Sequence, residues 1–438
     1  MKPGRVLALL GLALRAGAQY AGPAILSRGE APVAMAAPEI RFRPFLEITG
    51  VYDTGLAAPA LKEQGGLANQ TSYGVAAIWG ISRTHSWRHT KIGLEYRGSM
   101  SQFAQSSGYN SLDQSLLLGV AHQLSRHVLL SLHTTAGIFT RDLELNGLTQ
   151  TVPFDPATMN IPTTDFFDNR TRYVNPTADL IIQPTTRLSF DFGGAGSVVR
   201  RRSTALEGST SLNGHGDVQY RLSRRATVGA SYNYYHFDFT HIFGGTHVYG
   251  VTGTFAVRLS RWVEFTGYAG FERAESEFFQ TAPVDPVIVA LLGASNQTQI
   301  VHAVDYVPNV SARLSRTFHR GVAHLSGGHT VVPGNGLFLT SYTTTIWGGY
   351  NYSGIRRWSL GTDVSFGRSD SIGYLPGTYS NIGGDLSASR QILPSIHLIV
   401  RYSARQYQSP NFANYNRLVH EARIGLGWTP GDLPLRIW

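Results

Sequence analysis

The sequence predicts an all-β fold in which 18 antiparallel strands follow one another up and down and close into a barrel. Three observations predict it. Apolar and polar residues alternate with a period of two over long segments, short connections alternate with longer ones, and all seven tryptophans fall near one end of the segments. A period of two puts successive side chains on opposite faces of a β-strand.

The alternating segments begin near Ile40 and are about 12 to 16 residues long. In one of them Ile92 and Leu94 fall on one face, and Glu95 and Arg97 fall on the other. A tilted strand needs about 9–11 residues to cross a membrane, whereas strands of soluble proteins average about 5–6. The segments are therefore long enough to span a bilayer and, in places, to project beyond it.

The connections between segments are of two kinds. Eight short turns share a common form, and they are Ile81–Arg83, Leu124–His127, Pro184–Arg187, Leu222–Arg225, Leu259–Trp262, Leu314–Thr317, Gly354–Arg357 and Ile392–Ser395. Nine longer connections lie near 54–70, 104–110, 141–169, 201–208, 240–245, 275–300, 332–338, 370–376 and 408–415. Seventeen connections join 18 strands and leave both termini on the short-turn side. A propeller blade has a similar repeat length, but it carries four short strands where this chain has two long ones.

The tryptophans support a membrane-spanning barrel over a soluble sandwich. An amphipathic indole favours the boundary between membrane and water. A soluble core would not confine every tryptophan to one end of its strands. We therefore expect an aromatic rim on the periplasmic side, formed by Trp79, Trp87, Trp262, Trp347, Trp358 and Trp428.

The N-terminus has the pattern of a secretory signal. Lys2 and Arg5 precede an apolar stretch from Val6 to Leu14, and Ala16 and Ala18 offer a cleavage site. The alternative is a short buried helix of a cytosolic protein. We expect a signal peptide over 1–18, an extended periplasmic segment over 19–39, the barrel over 40–428 and a C-terminal tail over 429–438.

Composition excludes several classes of protein. The chain has no cysteine, which excludes disulfides, cysteine-ligated zinc and cysteine nucleophiles. Beyond the N-terminus it has no run of 18 apolar residues, which argues against membrane-spanning helices. The net charge of +9 indicates either basic loops near anionic headgroups or a lumen that prefers anions. The longest basic run is Arg200–Arg202, so nucleic-acid binding is not expected.

From Ile40 to Trp438 the chain resembles bacterial outer-membrane β-barrels of the porin class with 16–18 strands, without matching one subfamily. The resemblance implies short periplasmic turns, longer extracellular loops, contact with outer-membrane lipid and insertion by the barrel-assembly machinery. It leaves open whether the chain forms a homo-oligomer. Trp438 ends the chain as an aromatic residue does in this class, but Pro434 and Arg436 stand where the class has apolar residues.

The polar face of each strand would line the lumen. The lumen candidates are Lys91, Glu95, Arg97, Asp191, Arg313, Arg401, Arg405, Glu421 and Arg423. Pairing the last two strands around the 408–415 connection sets Arg401 opposite Arg423 and Ser403 opposite Glu421. Arg401, Arg405 and Arg423 are the best candidates for a basic constriction wall.

The third long connection is the candidate constriction loop. It carries Asp142, Glu144, Asp155, Asp165 and Asp168. In general porins a loop in this position folds into the lumen, and the resemblance implies the same here. The alternatives are an external loop that packs over the rim, and insertion of connection 275–300 through its apolar stretch Val287–Leu292.

No pattern of catalytic, cofactor-binding or metal-ligating residues stands out, and we expect neither an enzyme nor a cofactor. The rim residues His236, Asp238 and His241 are the nearest approach to a catalytic group. The sequence therefore predicts a porin-like channel for passive diffusion of small polar or anionic solutes. The alternative is a non-conducting structural or surface-interaction barrel, for adhesion or envelope organisation.

Overall fold

The computed structural model describes residues 42–55, 71–104, 110–139, 170–202, 207–283, 296–333, 339–372, 377–410 and 416–431. These residues form one sheet of 18 strands in which each strand pairs with its neighbours in the chain, and β1 also pairs with β18. All pairings are antiparallel, which makes the sheet an up-and-down one. The pairing of the first strand with the last closes it into a barrel. The predicted fold and strand number are confirmed.

The strands are longer than those of most soluble proteins. They are β1 Arg43–Asp53, β2 Ser72–Ser86, β3 Thr90–Phe103, β4 Ser111–Ser125, β5 Val128–Phe139, β6 Thr171–Ile182, β7 Leu188–Arg201, β8 Ser209–Arg221, β9 Ala226–Phe239, β10 Gly244–Arg258, β11 Val263–Pro283, β12 Asn296–Phe318, β13 Gly321–Pro333, β14 Thr340–Tyr352, β15 Trp358–Ile372, β16 Thr378–Leu393, β17 Ile396–Gln408 and β18 Arg417–Trp428.

The two ends of the barrel differ in their connections, but two predicted turns are wrong, because Ile81–Arg83 lies inside β2 and Leu314–Thr317 lies inside β12. Eight short turns lie at one end, here called the turn end, and nine connections, most of them longer, lie at the other, here called the loop end. The recurring serine of the short turns has a structural role. The Ser223 hydroxyl accepts hydrogen bonds from the amides of Arg225 and Ala226, both at 3.1 Å, and the Ser260 hydroxyl accepts one from the amide of Trp262 at 3.1 Å. Such side-chain bonds satisfy the backbone of a tight turn.

The register puts polar residues inside and apolar residues outside. On β1, Glu47 and Asp53 point inward and are buried, whereas Ile48 and Tyr52 point outward and are 51% and 49% exposed. The predicted pairing of β17 with β18, with Arg401 opposite Arg423, is also confirmed. A sheet closed on itself pairs its backbone groups within the wall, which is what a bilayer demands of a spanning sheet. With its apolar outer surface, the chain is a bacterial outer-membrane barrel, and the turn end is the periplasmic one.

Among the described residues, no helix is long and apolar enough to span a membrane.

The wall overlaps itself at the loop end. β11 and β12 are the longest strands, with 21 and 23 residues, and they pair with each other along their whole length. β12 pairs with β13 only from Phe318 up to Val310. Beyond that point β13 has no backbone partner on β12. The side chain of Glu272 on β11 bonds to β13 instead, and its Oε2 accepts a hydrogen bond from the amide of Val331 at 2.9 Å. The loop ends of β13 and β14 therefore lie inside the β11–β12 hairpin.

Side chains fill the space between the overlapping layers. Thr246 of β10 reaches Thr340 of β14 with 2.7 Å between their hydroxyl oxygens, although three strands separate β10 from β14 in the sheet. Around this contact lies a buried apolar cluster of Phe237, Val248, Ala274, Val307, Val331 and Ile372. A second buried cluster, Phe139, Tyr173 and Val199, lies at the loop ends of β5 to β7. The overlapping strands thus narrow the lumen at the loop end.

The prediction of an aromatic rim is wrong for Trp347. Its outward-facing neighbour Ile346 is 50% exposed, so the alternation turns Trp347 inward. Its indole lies 4.0 Å from the ring of the inward-facing His324. Trp79 and Trp428 share the outward face of their strands, and Trp87, Trp262 and Trp358 lie in or beside the short turns.

Candidate functional site in the barrel interior

The structure places every lumen candidate on the inward face of its strand. They occupy β3, β7, β12, β17 and β18, and they are Lys91, Glu95, Arg97, Asp191, Arg313, Arg401, Arg405, Glu421 and Arg423. The candidates of the third connection, Asp142, Glu144, Asp155, Asp165 and Asp168, lie outside the described residues.

The arginine wall consists of Arg401, Arg405 and Arg423 on β17 and β18. Arg401 and Arg423 are direct cross-strand partners. Like charges in this position repel each other, so they need compensation. Arg401 Nη2 donates to Glu47 Oε2 at 2.8 Å, and Arg423 Nε is paired with Glu421 Oε1. Carboxylates of β1 and β18 thus alternate with the guanidinium groups.

The same arrangement continues on β3. Arg97 Nε is paired with Glu95 Oε1 two residues away on the same face. Charged groups of both signs therefore line the wall from β17 through β18 and β1 to β3. This mixture keeps the wall strongly polar while lowering its net charge.

A second charged region, the acidic face, lies on β6 to β8. It consists of Asp179, Asp191 and Asp217 with His215. Asp191 and Asp217 are direct cross-strand partners, and each has a buried carboxylate oxygen that lacks a hydrogen-bond partner. His215 Nε2 lies 3.6 Å from Asp179 Oδ1. In contrast to the arginine wall, like charges are gathered here.

The approach of Asp179 to His215 depends on a glycine. The two residues are on β6 and β8, and Gly193 of β7 stands between them as cross-strand partner of both. A side chain at Gly193 would occupy the space in which the carboxylate and the imidazole meet. The structure repeats this arrangement on β13 to β15, where His324 Nε2 lies 3.6 Å from Asp363 Oδ1 across Gly349.

Asp179, Asp191 and His215 offer ligand atoms that all lie within 4.8 Å of one another. Carboxylate and imidazole groups are ligands of divalent cations, so this face can attract them. Sequence reasoning placed Asp191 in the lumen but overlooked His215. The signal that could have found it was the alternation of β8, which puts His215 and Asp217 on one face.

The arginine wall and the acidic face lie on different sides of the barrel and are opposite each other only in part. β7 is nine strands away from β16 in either direction around the ring of 18 strands. The acidic face on β6 to β8 is therefore opposite β15 to β17, where Asp363 and Asp385 are cross-strand partners on β15 and β16 and the arginine wall begins at β17. The charges of these walls create a field across the lumen, and such a field acts on passing ions and dipoles.

The rim residues do not form a catalytic group. His236 Nε2 lies 3.0 Å from Asp238 Oδ2, and both residues are on the outward face of β9. His241 is instead bonded to Glu207, with 3.2 Å between its Nδ1 and the carboxylate. Ser231, the hydroxyl on the same strand, points inward and is buried. Nucleophile and base would therefore be on opposite faces of the sheet, which a hydrolytic triad does not allow.

No protein-family model and no curated protein matches the sequence. Solved structures of similar shape include OpdQ of Pseudomonas aeruginosa, with 12% identity, a TM-score of 0.43 and coverage of 91% of this chain and 98% of that one. OpdL of Pseudomonas aeruginosa has 14% identity, a TM-score of 0.40 and coverage of 91% and 99%. OccAB4 of Acinetobacter baumannii has 12% identity, a TM-score of 0.41 and coverage of 89% and 98%. Similarity at this level does not extend to function.

Proposed function

We propose that the barrel is a passive channel through which small polar solutes, anionic ones included, cross the outer membrane. The observation that carries the proposal is the charged inner face of a closed barrel with an apolar outer face. Charged groups removed from water are costly, and a wall lined with them is stable where water fills the interior. Barrels of 16 to 18 strands are wide enough to hold an aqueous channel.

The arginine wall and the acidic face would set the selectivity. A solute that passes between them meets guanidinium groups on one side and carboxylates on the other. Anionic solutes would be held on the side of Arg401, Arg405 and Arg423, and cationic groups on the side of Asp191 and Asp217. The apolar clusters at the loop end would limit the size of solutes that enter.

Transport of this kind needs no chemical step. The charged groups would act by attraction and hydration alone, and the rate would follow the solute gradient. We therefore infer that the chain is not an enzyme, in keeping with the separated positions of His236 and Ser231.

A non-conducting structural barrel is the second candidate. The observation that favours it is the packing at the loop end, where Phe237, Val248 and Val331 lie inside the barrel with at most 4% of their surfaces exposed. If this packing closed the lumen, the charged faces would serve only to hydrate an enclosed interior.

Single-channel conductance in planar bilayers separates the two candidates. Purified protein, shown to be folded by its altered gel mobility without heating, should produce stepwise currents in potassium chloride. Heat-denatured protein from the same preparation is the control and should produce none. Folded protein without currents at low voltage would overturn the channel proposal in favour of the structural barrel.

A further inference from the structure

Four arginines lie together on the outward face of β6 and β7 at the loop end. Arg172 and Arg200 are direct cross-strand partners, and the amide of Arg202 donates to the carbonyl of Arg170 at 3.0 Å. All four side chains are exposed. Residues that alternate with these arginines, such as Thr171, point into the barrel. Arg170, Arg172, Arg200 and Arg202 therefore form one patch on the outside of the barrel.

This patch differs from other cations at the same end. Arg273 is paired with Glu275 at 2.7 Å, and Arg368 is paired with Asp370 at 2.9 Å. The four clustered arginines form no ion pair with a carboxylate of the described residues. Like charges placed opposite each other in a sheet destabilise it, so this arrangement favours the binding of an anion.

An apolar groove of about 460 Å³ runs from the patch along the outer wall. Arg172 and Arg200 stand at its edge, and most of the rest of its lining is apolar. The apolar lining comes from Tyr96, Leu116, Ala136, Ile138, Val174 and Val198. The groove faces the bilayer, since these side chains share the outward face of β3 to β7. A ligand that satisfies patch and groove together has an anionic head and a hydrocarbon chain.

The position of the patch indicates which anionic ligand binds there. Arginine on the lipid face is costly at the bilayer centre but tolerated near the interface, which is where the loop ends of β6 and β7 lie. A guanidinium group binds phosphate through two parallel hydrogen bonds, which makes phosphate a better partner than a carboxylic head. The loop end is extracellular, and the outer leaflet there consists of phosphorylated glycolipid.

We propose that Arg170, Arg172, Arg200 and Arg202 bind a phosphate of the outer-leaflet glycolipid, lipopolysaccharide, while one of its acyl chains occupies the adjacent groove. The site is independent of whether the barrel conducts, because it lies wholly on the outer wall. It would anchor one lipid molecule at a fixed place on the circumference of the barrel.

Calorimetric titration of the purified barrel in detergent with lipid A, the phosphorylated anchor of lipopolysaccharide, tests the proposal. The double variant Arg172→Gln with Arg200→Gln removes the cross-strand pair at the groove. Because a hydrogen bond to a charged group contributes up to about a factor of 100 to affinity, we expect the Kd to rise roughly tenfold or more. The matched control is Arg224→Gln with Arg225→Gln, two exposed arginines at the turn end, and its Kd should equal that of the wild type.

Three further measurements make the outcome decisive. Dephosphorylated lipid A should bind at least tenfold more weakly than lipid A, and inorganic phosphate alone should bind more weakly still. Arg172→Lys with Arg200→Lys keeps the charge and should recover part of the affinity. Equal binding by wild type and glutamine variant, equal loss in the control pair, or equal binding of the dephosphorylated lipid would each overturn the proposal. Gel mobility without heating verifies that every variant is folded.

Discussion

The arginine wall and the acidic face are both built from cross-strand pairs of like charge, yet they are stabilised differently. Arg401 faces Arg423, and Asp191 faces Asp217. On the arginine wall a carboxylate accompanies each guanidinium of the pair, from Glu47 and Glu421. On the acidic face the neighbouring basic side chain is the imidazole of His215, which lies 3.6 Å from Asp179 Oδ1.

The difference shows that the inner face of one sheet can have one region in which charges of both signs are paired and another in which charges of one sign gather. Where charges alternate in sign, pairing lowers the net field and each side chain is fixed by its partner. Where charges of one sign gather, the field extends into the lumen and counter-ions from solution must balance it. We therefore expect mutations of the acidic face to change ion selectivity more than mutations of the arginine wall.

The largest effect is expected from Asp191→Asn with Asp217→Asn. The substitutions preserve shape and remove the two carboxylates that are cross-strand partners on the acidic face. A charge at a distance of about 4 Å is worth about 1 kcal/mol in water, so the ratio of cation to anion permeability should fall by about fivefold. The reversal potential in a salt gradient across a planar bilayer measures this ratio. An unchanged reversal potential would show that these carboxylates do not border the conducting path.

A smaller effect, also toward anions, is expected from Glu47→Gln. The change leaves Arg401 without the carboxylate at 2.8 Å, while Arg423 keeps Glu421. An ion pair of this exposure is worth about 0.2–1 kcal/mol, so the permeability ratio should change by about twofold. Arg401→Gln is the matched variant and should shift the reversal potential in the opposite direction. A shift of the same sign in both variants would contradict the assignment of this pair to the lumen.

The smallest effect is expected from a change in tryptophan content that tests the register of β14. Trp347 lies on this strand, between the acidic face and the arginine wall. With Trp347 as the single tryptophan, its fluorescence should be quenched by aqueous acrylamide and unaffected by brominated lipid. A variant that keeps only Trp428, 42% exposed on the outward face, should show the reverse. Quenching of Trp347 by brominated lipid would mean that the register of β14 is shifted by one residue.

Local features of the barrel could be predicted from the sequence. The strands β17 and β18 are consecutive, and their alternation around the 408–415 connection places Arg401 opposite Arg423. The serine turns and the number of strands follow from equally local patterns. Trp347 shows the limit of this reasoning, because a shift of one residue reverses which face a side chain occupies.

Features that join distant strands could not be predicted in this way. Asp179 meets His215 only because Gly193 is the partner of both, which requires the register of three strands at once. The contact of Thr246 with Thr340 spans 94 residues of sequence and exists only because the wall overlaps itself. The alternation of apolar and polar residues shows which face of a strand a side chain occupies. It does not show over what length a strand pairs with its neighbour.

The overlap beside Glu272 gives the two ends of the barrel different mechanics. At the turn end, hydrogen bonds join every strand to the next, so the circumference there is that of a closed ring. At the loop end, the ladder between β12 and β13 stops at Val310, and the wall there is a scroll held by side chains. A ring can widen only by breaking its ladder, whereas a scroll can widen as its layers slide. In the described strands, the width of the wall at the extracellular end thus depends on the packing around Glu272 as well as on the number of strands.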